Sequence, residues 1–296
     1  MILLLVNTSR IDAQDGSSDL LEAARQGDVQ RVTELVASGA DVNAADRFGI
    51  TALWQACSKG HVDVARVLLE AGADSSLRDS VWKVSPLMMT DKPELVSLLV
   101  SHGDEAAPAK LRAAAMSGAS DVVKAMLAAR PWSLNDLAEA AEMAKLGWKA
   151  HIVKLLQDSA GQELPAAPQI EKEKLKKLVG NYVDQRLNKM KVELRSGKLA
   201  MVREHGRSQV LVPRDALTFL HGPAVIEFQV ADQRVTGFLY SGTIDPQHFA
   251  RVDGRSEDAI RKVFPASRSL DADVAARDKW PSFRGVQARG IAIGQD

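Results

Sequence analysis

The feature that most restricts this chain is a self-similarity at a fixed spacing. The run Ala23-Ala24-Arg25-Gln26-Gly27-Asp28-Val29 is followed by Val32, Leu35-Val36 and Gly39-Ala40-Asp41. The run Ala56-Cys57-Ser58-Lys59-Gly60-His61-Val62 is followed by Ala65, Leu68-Leu69 and Gly72-Ala73-Asp74. Gly27 to Gly60, Gly39 to Gly72 and Asp41 to Asp74 are each 33 positions. A period of that length marks one supersecondary unit that cannot bury its apolar face alone and must stack on copies of itself.

The second unit is the fullest. Asp46-Arg47-Phe48-Gly49-Ile50-Thr51-Ala52-Leu53 resembles the opening of an ankyrin repeat, Asp-x-x-Gly-x-Thr-Pro-Leu, which implies a turn followed by two helices. Thr51 is placed to cap the first helix, Gly49 to supply the permissive backbone of the turn, and Gly60 and Gly72 to end helices. Ala52 stands where the family has proline and Trp54 where it has histidine, departures expected to loosen the turn. Asp19-Leu20-Leu21-Glu22 reads as a capping pair opening the first unit. Weaker copies come next. Ser85-Pro86-Leu87-Met88-Met89 and Pro93 to Leu99 end at Gly103, Leu111–Ala129 surrounds Gly118, and Leu137–Leu156 surrounds Gly147. Gly118 to Gly147 is only 29 positions, so the later hairpin tips are expected to be trimmed. The resemblance covers residues 18–158, about five units.

Two prolines among small residues, Pro165-Ala166-Ala167-Pro168, mark a linker over 159–174. Glu171 to Leu178 reads as a short solvated helix that docks Leu175, Leu178 and Val179 on the strand-rich region beyond it. From Gly180 the apolar period becomes two: Val192 and Leu194, a turn at Ser196-Gly197, then Leu199 and Met201. Further strand-like runs are Val210–Val212, Leu217–Leu220, Val225–Val230, Val235–Tyr240 and Phe249–Val252. Short strands so spaced predict an antiparallel meander curling toward a barrel. Leu178 to Tyr182, Gly197-Lys198-Leu199, Pro213, Phe219, Phe228 and Ala250-Arg251-Val252 resemble the small β domain appended to serine hydrolases of the class C β-lactamase type. That resemblance covers 175–253 and implies a lipocalin-like sheet with an accessory role. The expected fold is therefore α + β and multidomain, an ankyrin solenoid followed by a small antiparallel β domain. A packed core is the expectation for the sheet interior, with a small-ligand pocket as the alternative.

The tail, 254–296, holds Lys279-Trp280-Pro281-Ser282-Phe283-Arg284-Gly285, similar to the opening of pyrroloquinoline-quinone-type β-propellers. Val286 replaces the usual final proline. The resemblance implies the front piece of a longer quinoprotein; the alternative is a solvated tail. At the other end, Met1 to Val6 is apolar and 1–17 resembles a truncated secretory signal cleaved near Ala13 or Gln14. That favours an extracytoplasmic location, with a cytoplasmic chain as the alternative.

Composition narrows the function. The 296 residues contain 38 Lys plus Arg against 38 Asp plus Glu, without the basic excess of a general nucleic-acid binder. No apolar run reaches membrane-spanning length. The single cysteine, Cys57, excludes an intramolecular disulfide and reads as a buried small hydrophobe. Ser80-Val81-Trp82-Lys83 fits a Ser-x-x-Lys nucleophile pattern, but the hydrolase partner motifs are missing from the sequence. The six histidines show no metal-ligand spacing, and neither a phosphate loop nor a paired-carboxylate motif occurs. No cofactor is expected, and the chain reads as a protein-binding scaffold. By resemblance, the contact positions map to Arg47, Phe48, Ile50, Ser58 and Lys59, continued by Val81, Trp82 and Lys83. That is an aromatic, aliphatic and basic mixture of the kind found at binding hot spots.

Overall fold

A computed structural model describes residues 16–184, 188–203, 208–241 and 246–252. The propeller-like tail, 254–296, and all but the last two residues of the signal-like segment 1–17 lie outside the described residues. The chain divides between Asp104 and Glu105 into two compact units.

The first unit is built of helix pairs: α1 (Ser17–Gln26) with α2 (Val29–Ala37), and α3 (Ala52–Lys59) with α4 (Val62–Glu70). A short 3-10 turn (Pro86–Met89) and α5 (Pro93–Ser101) come after them. The pairs stack in register, α1 on α3 and α2 on α4. Leu20, Val32, Leu53, Leu68, Leu87, Leu95 and Leu99 are buried between them, each worth roughly 2 kcal/mol of burial. The third pair is shorter than expected because Pro93 already opens α5. The few residues after Pro86 then have room for one tight turn only.

Side chains tie each repeat to the one before it. The His61 ring lies against Gly27, where a Cβ would meet it at 2.6 Å, and its Nε2 sits 3.2 Å from the Arg25 carbonyl. Lys92 reaches the Gly60 carbonyl in the same way, at 3.1 Å. One local expectation fails. Asp19 and Glu22 form no capping pair, because α1 starts at Ser17 with Gly16 as its N-cap. Asp19 stands in the first turn, where its charge complements the helix dipole, while Glu22 binds Arg25 and Gln26.

The second unit holds two further helix pairs, α6 (Ala107–Ser117) with α7 (Ser120–Ala129), and α8 (Leu134–Leu146) with α9 (Ala150–Ala160). The trimmed tip is visible here. Only Arg130–Ser133 separates α7 from α8, and Ser133 caps α8 by accepting the Asp136 amide at 3.1 Å. After the linker comes the expected short helix, α10 (Lys172–Leu178), with Leu175 and Leu178 buried in the sheet's core.

Nine antiparallel strands complete the described part of this unit: β1 (Gly180–Asp184), β2 (Lys189–Arg195), β3 (Lys198–Arg203), β4 (Gln209–Val210), β5 (Val212–Pro213), β6 (Thr218–His221), β7 (Ala224–Ala231), β8 (Arg234–Ser241) and β9 (Gln247–Arg251). Their order, β4-β3-β2-β1-β9-β8-β7-β6-β5, is that of a meander closed on itself through β1 and β9. The ring is open between β4 and β5, so the sheet is nearly a barrel. The run Val210–Val212, read as one strand, is two. Leu211 crosses the seam, its amide donating to the Leu199 carbonyl at 2.8 Å. Two hairpins turn on residues with positive φ, Ser196-Gly197 (47° and 79°) and Asp232-Gln233 (49° and 61°), the handedness that matches strand twist. The interior holds Tyr182, Phe219, Phe228, Phe238 and Phe249, with Phe238 stacked on Phe249 at 4.8 Å.

A buried ion pair joins helices to sheet within this unit. The Arg112 guanidinium on α6 contacts Glu139 on α8 at 2.9 Å and donates to the Pro223 carbonyl, between β6 and β7, at 2.8 Å. Arg214, next to β5, adds a second cation to Glu139 at 2.6 Å. Burial lowers the Arg112 pKa and the Glu139 charge opposes that. Arg112→Ala should cost about 1–3 kcal/mol in urea unfolding, since it leaves the Pro223 carbonyl without its donor and removes the buried one of the two cations on Glu139. Lys154→Ala, which breaks an exposed pair with Asp158, should cost less than about 0.5 kcal/mol. Equal losses would show that burial is not what gives the Arg112 pair its weight.

Candidate partner-binding surface

The two hairpins of the first unit that carry the expected contact residues are organised by aspartates. Asp46 accepts the amides of Phe48 and Ile50 through one oxygen, at 2.8 and 3.0 Å. Its own amide donates to the Ile50 carbonyl at 3.1 Å. Asp79 lies 33 positions on and plays the same part. It is buried, and accepts the Val81 and Trp82 amides at 2.9 and 2.5 Å and the Val84 amide at 3.0 Å. These carboxylates satisfy the amides that a reversing backbone leaves without a ladder partner. Thr51 caps α3 as expected, accepting the Trp54 amide at 3.2 Å. Trp54 is buried, and the turn before it holds despite Ala52 and Trp54, because the Asp46 carboxylate fixes it.

The second tip is one residue longer. Asp46 to Thr51 is five steps and Asp79 to Ser85 is six. Val84 takes the place of Ile50, and Lys83, at φ 58°, takes the left-handed role that Gly49 plays at φ 72°. Gly49 has a further reason to be glycine: its Cβ would lie 2.9 Å from the Ser80 backbone nitrogen. The tips are joined there by the Ser80 amide donating to the Phe48 carbonyl at 2.7 Å.

Arg47 is exposed, and its guanidinium covers the half-buried Phe48 ring at 4.6 Å. Val81 and Trp82 are half-buried beside the exposed Lys83, and Lys59 is exposed at the end of α3 with Ser58 half-buried before it. Ile50 departs from its expected place at the surface. It is 1% exposed and belongs to the interior, because the residue after the left-handed glycine turns back toward the helices. Ser80 of the Ser-x-x-Lys pattern sits in the hairpin, its backbone held by Phe48. Cys57 is buried, and burial pushes its thiol pKa up, with Asp104 adding to the rise. Among the described residues, no three His, Cys, Asp or Glu side chains gather as metal ligands.

The second unit carries a surface residue that the repeat pattern did not single out. Trp148, between α8 and α9, is 93% exposed and has φ 57°. Gly27, Gly60 and Gly118 hold the left-handed position after the first helix of a pair; here tryptophan holds it. The glycine, Gly147, has moved one residue back, and packing demands it there: its Cβ would lie 2.2 Å from the Met116 carbonyl on α6. The signal in the sequence was the Gly118-to-Gly147 spacing, read as trimming of a tip. A bulky residue in the left-handed region is a rare conformation.

This architecture, helix pairs joined by aspartate-braced hairpins and repeating every 33 residues, is that of ankyrin repeats. Residues 1–79 and 20–108 match the family model for ankyrin repeats, in three copies. The chain is 49% identical over 69 residues to the mitochondrial disaggregase of Homo sapiens, which covers 22% of this chain and 10% of that protein. It is 33% identical over 97 residues to ankyrin repeat domain-containing protein 40 of Mus musculus, 32% of this chain and 26% of that protein. The match to the mouse B-cell lymphoma 3 protein homolog is 33% over 110 residues, 36% of this chain and 24% of that protein. The chain thus spans between a tenth and a quarter of the length of these relatives.

Substitutions separate the two kinds of turn. Asp79→Ala should lower stability by about 1–3 kcal/mol, measured by chemical denaturation, because three amides lose their acceptor. Asp74→Ala, at an exposed turn, should cost much less. Trp148→Gly should raise the melting temperature, since the left-handed region costs a non-glycine residue about 1–2 kcal/mol and glycine returns only part of that as chain entropy. A lower melting temperature would mean that the indole packs against its surroundings.

Proposed function

We propose that this chain is a protein-binding scaffold, whose ankyrin hairpins present Arg47, Phe48, Val81, Trp82 and Lys83 to a protein partner. The reading rests on one observation above the others. The two tips are pinned to each other by a backbone hydrogen bond and to their own aspartates, and they leave Arg47 and Lys83 exposed with Phe48, Val81 and Trp82 half-buried beside them. Binding then requires little ordering of the loops, and preorganisation of that kind favours affinity. Ser58 and Lys59 at the end of α3 extend the contact area. The β sheet acts as an accessory domain in this reading, in line with its likeness to domains appended to serine hydrolases, and no residue of the chain is assigned a catalytic task. The signal-like opening of the sequence supports an extracytoplasmic site of action.

The test is capture by the tagged chain from its source cells, compared with the Phe48→Ala, Trp82→Ala double variant, with circular dichroism to confirm the fold. The truncations should reduce capture at least tenfold, as expected for aromatic hot spots worth about 2 kcal/mol each. Undiminished capture by the folded variant would remove these tips from the interface. If Trp148→Ala alone abolishes capture, the contact surface belongs to the second unit.

A further inference from the structure

The seam of the near-barrel opens into a cavity of about 250 Å³. Its floor is Leu175, Leu199, Leu211 and Phe219, all buried members of the sheet's interior core, and its apolar rim is Leu146, Ile170 and Val210. The linker from Ala166 to Ile170 forms one wall and the end of α8, at Glu142 and Leu146, another. The cavity exists because β4 and β5 are two residues each and diverge on either side of Leu211. A fully paired ring would have closed over it.

Its polar lining is short: Glu142, Gln169 and Lys198. Glu142 is already neutralised by Lys145 at 2.6 Å. Lys198 is exposed at the start of β3 and, among the described residues, its ammonium has neither a carboxylate nor a hydrogen-bond partner. An apolar cavity of about 150 Å³ holds benzene, and drug-sized ligands take about 300–1,000 Å³. The space therefore suits roughly ten non-hydrogen atoms.

The geometry points to a binding site for a small monocarboxylate with an apolar chain, the chain lying on Leu146, Ile170 and Val210 and the carboxylate meeting Lys198. Such a ligand pairs the free cation and covers the apolar rim, where Leu146 is exposed and Ile170 and Val210 are half-buried. The site is independent of the hairpin surface of the first unit, so neither reading depends on the other.

Isothermal titration of the full chain with sodium octanoate tests it, with 1-octanol as the uncharged control. Octanoate should bind saturably, with a Kd on the order of 1 mM or tighter. Octanol should bind at least tenfold more weakly. Lys198→Glu, on an exposed strand end, should weaken octanoate at least tenfold, and Leu146→Trp should block it by filling the rim. Both variants are checked for the native fold by circular dichroism. Absence of saturable binding to the folded wild-type chain overturns the site. Equal affinity for octanol, or binding indifferent to both substitutions, overturns the assignment of the carboxylate and of the cavity respectively.

Discussion

A peptide chain that reverses direction outside a helix or sheet leaves amides pointing inward with nothing to receive them. In the first unit that problem is solved twice by a single carboxylate, Asp46 in one tip and Asp79 in the next. Everything presented at the tips depends on this solution. The carboxylate fixes the amides of Phe48, Val81 and Trp82, so their side chains leave the turn in set directions. It also holds the tips close enough for one to hydrogen-bond the next through Phe48 and Ser80. A glycine at position 49 is then a requirement of contact between tips as well as of backbone conformation.

The second unit meets the corresponding problem with opposite chemistry. There the inward-facing group is the Pro223 carbonyl, and the donor is a buried guanidinium held by Glu139. The helices α6 and α8 are thus fixed to one sheet turn by a cluster that tolerates little rearrangement. Against that rigidity, the displaced glycine before Trp148 reads as a compromise. Close approach of α8 to the Met116 carbonyl decides where the glycine must stand, and the left-handed residue falls to whatever comes next.

Much of this was legible in the sequence because spacing and turn chemistry are local. The 33-residue offsets located the helix pairs, Thr51 announced its cap, and Ser196-Gly197 announced a hairpin whose register the structure reproduces at Arg195 and Lys198. Other features depended on contacts between distant residues and left no local mark. Ile50 looks like a surface position in a turn, and only the return of the chain toward the helices buries it. Val210–Val212 reads as one strand because nothing in three apolar residues reveals that the sheet parts at Leu211. The extra residue before Ser85 was visible as a count, but its effect, Lys83 in a glycine's conformation, needed the hydrogen bonds of Asp79 to be seen.

The pairing of β1 with β9 has a mechanical consequence. Asn181 receives the Val252 amide, so the chain enters and leaves the sheet on neighbouring antiparallel strands at the same end. A tension applied through those two points does not shear the ladder along its length. It unzips the rungs in sequence, Tyr182 with Arg251 before Asp184 with Phe249, each holding only about 1 kcal/mol. The sheet therefore behaves under load as a clasp that opens from one corner, and because Tyr182 and Phe249 sit in those rungs, the aromatic core parts together with the ladder.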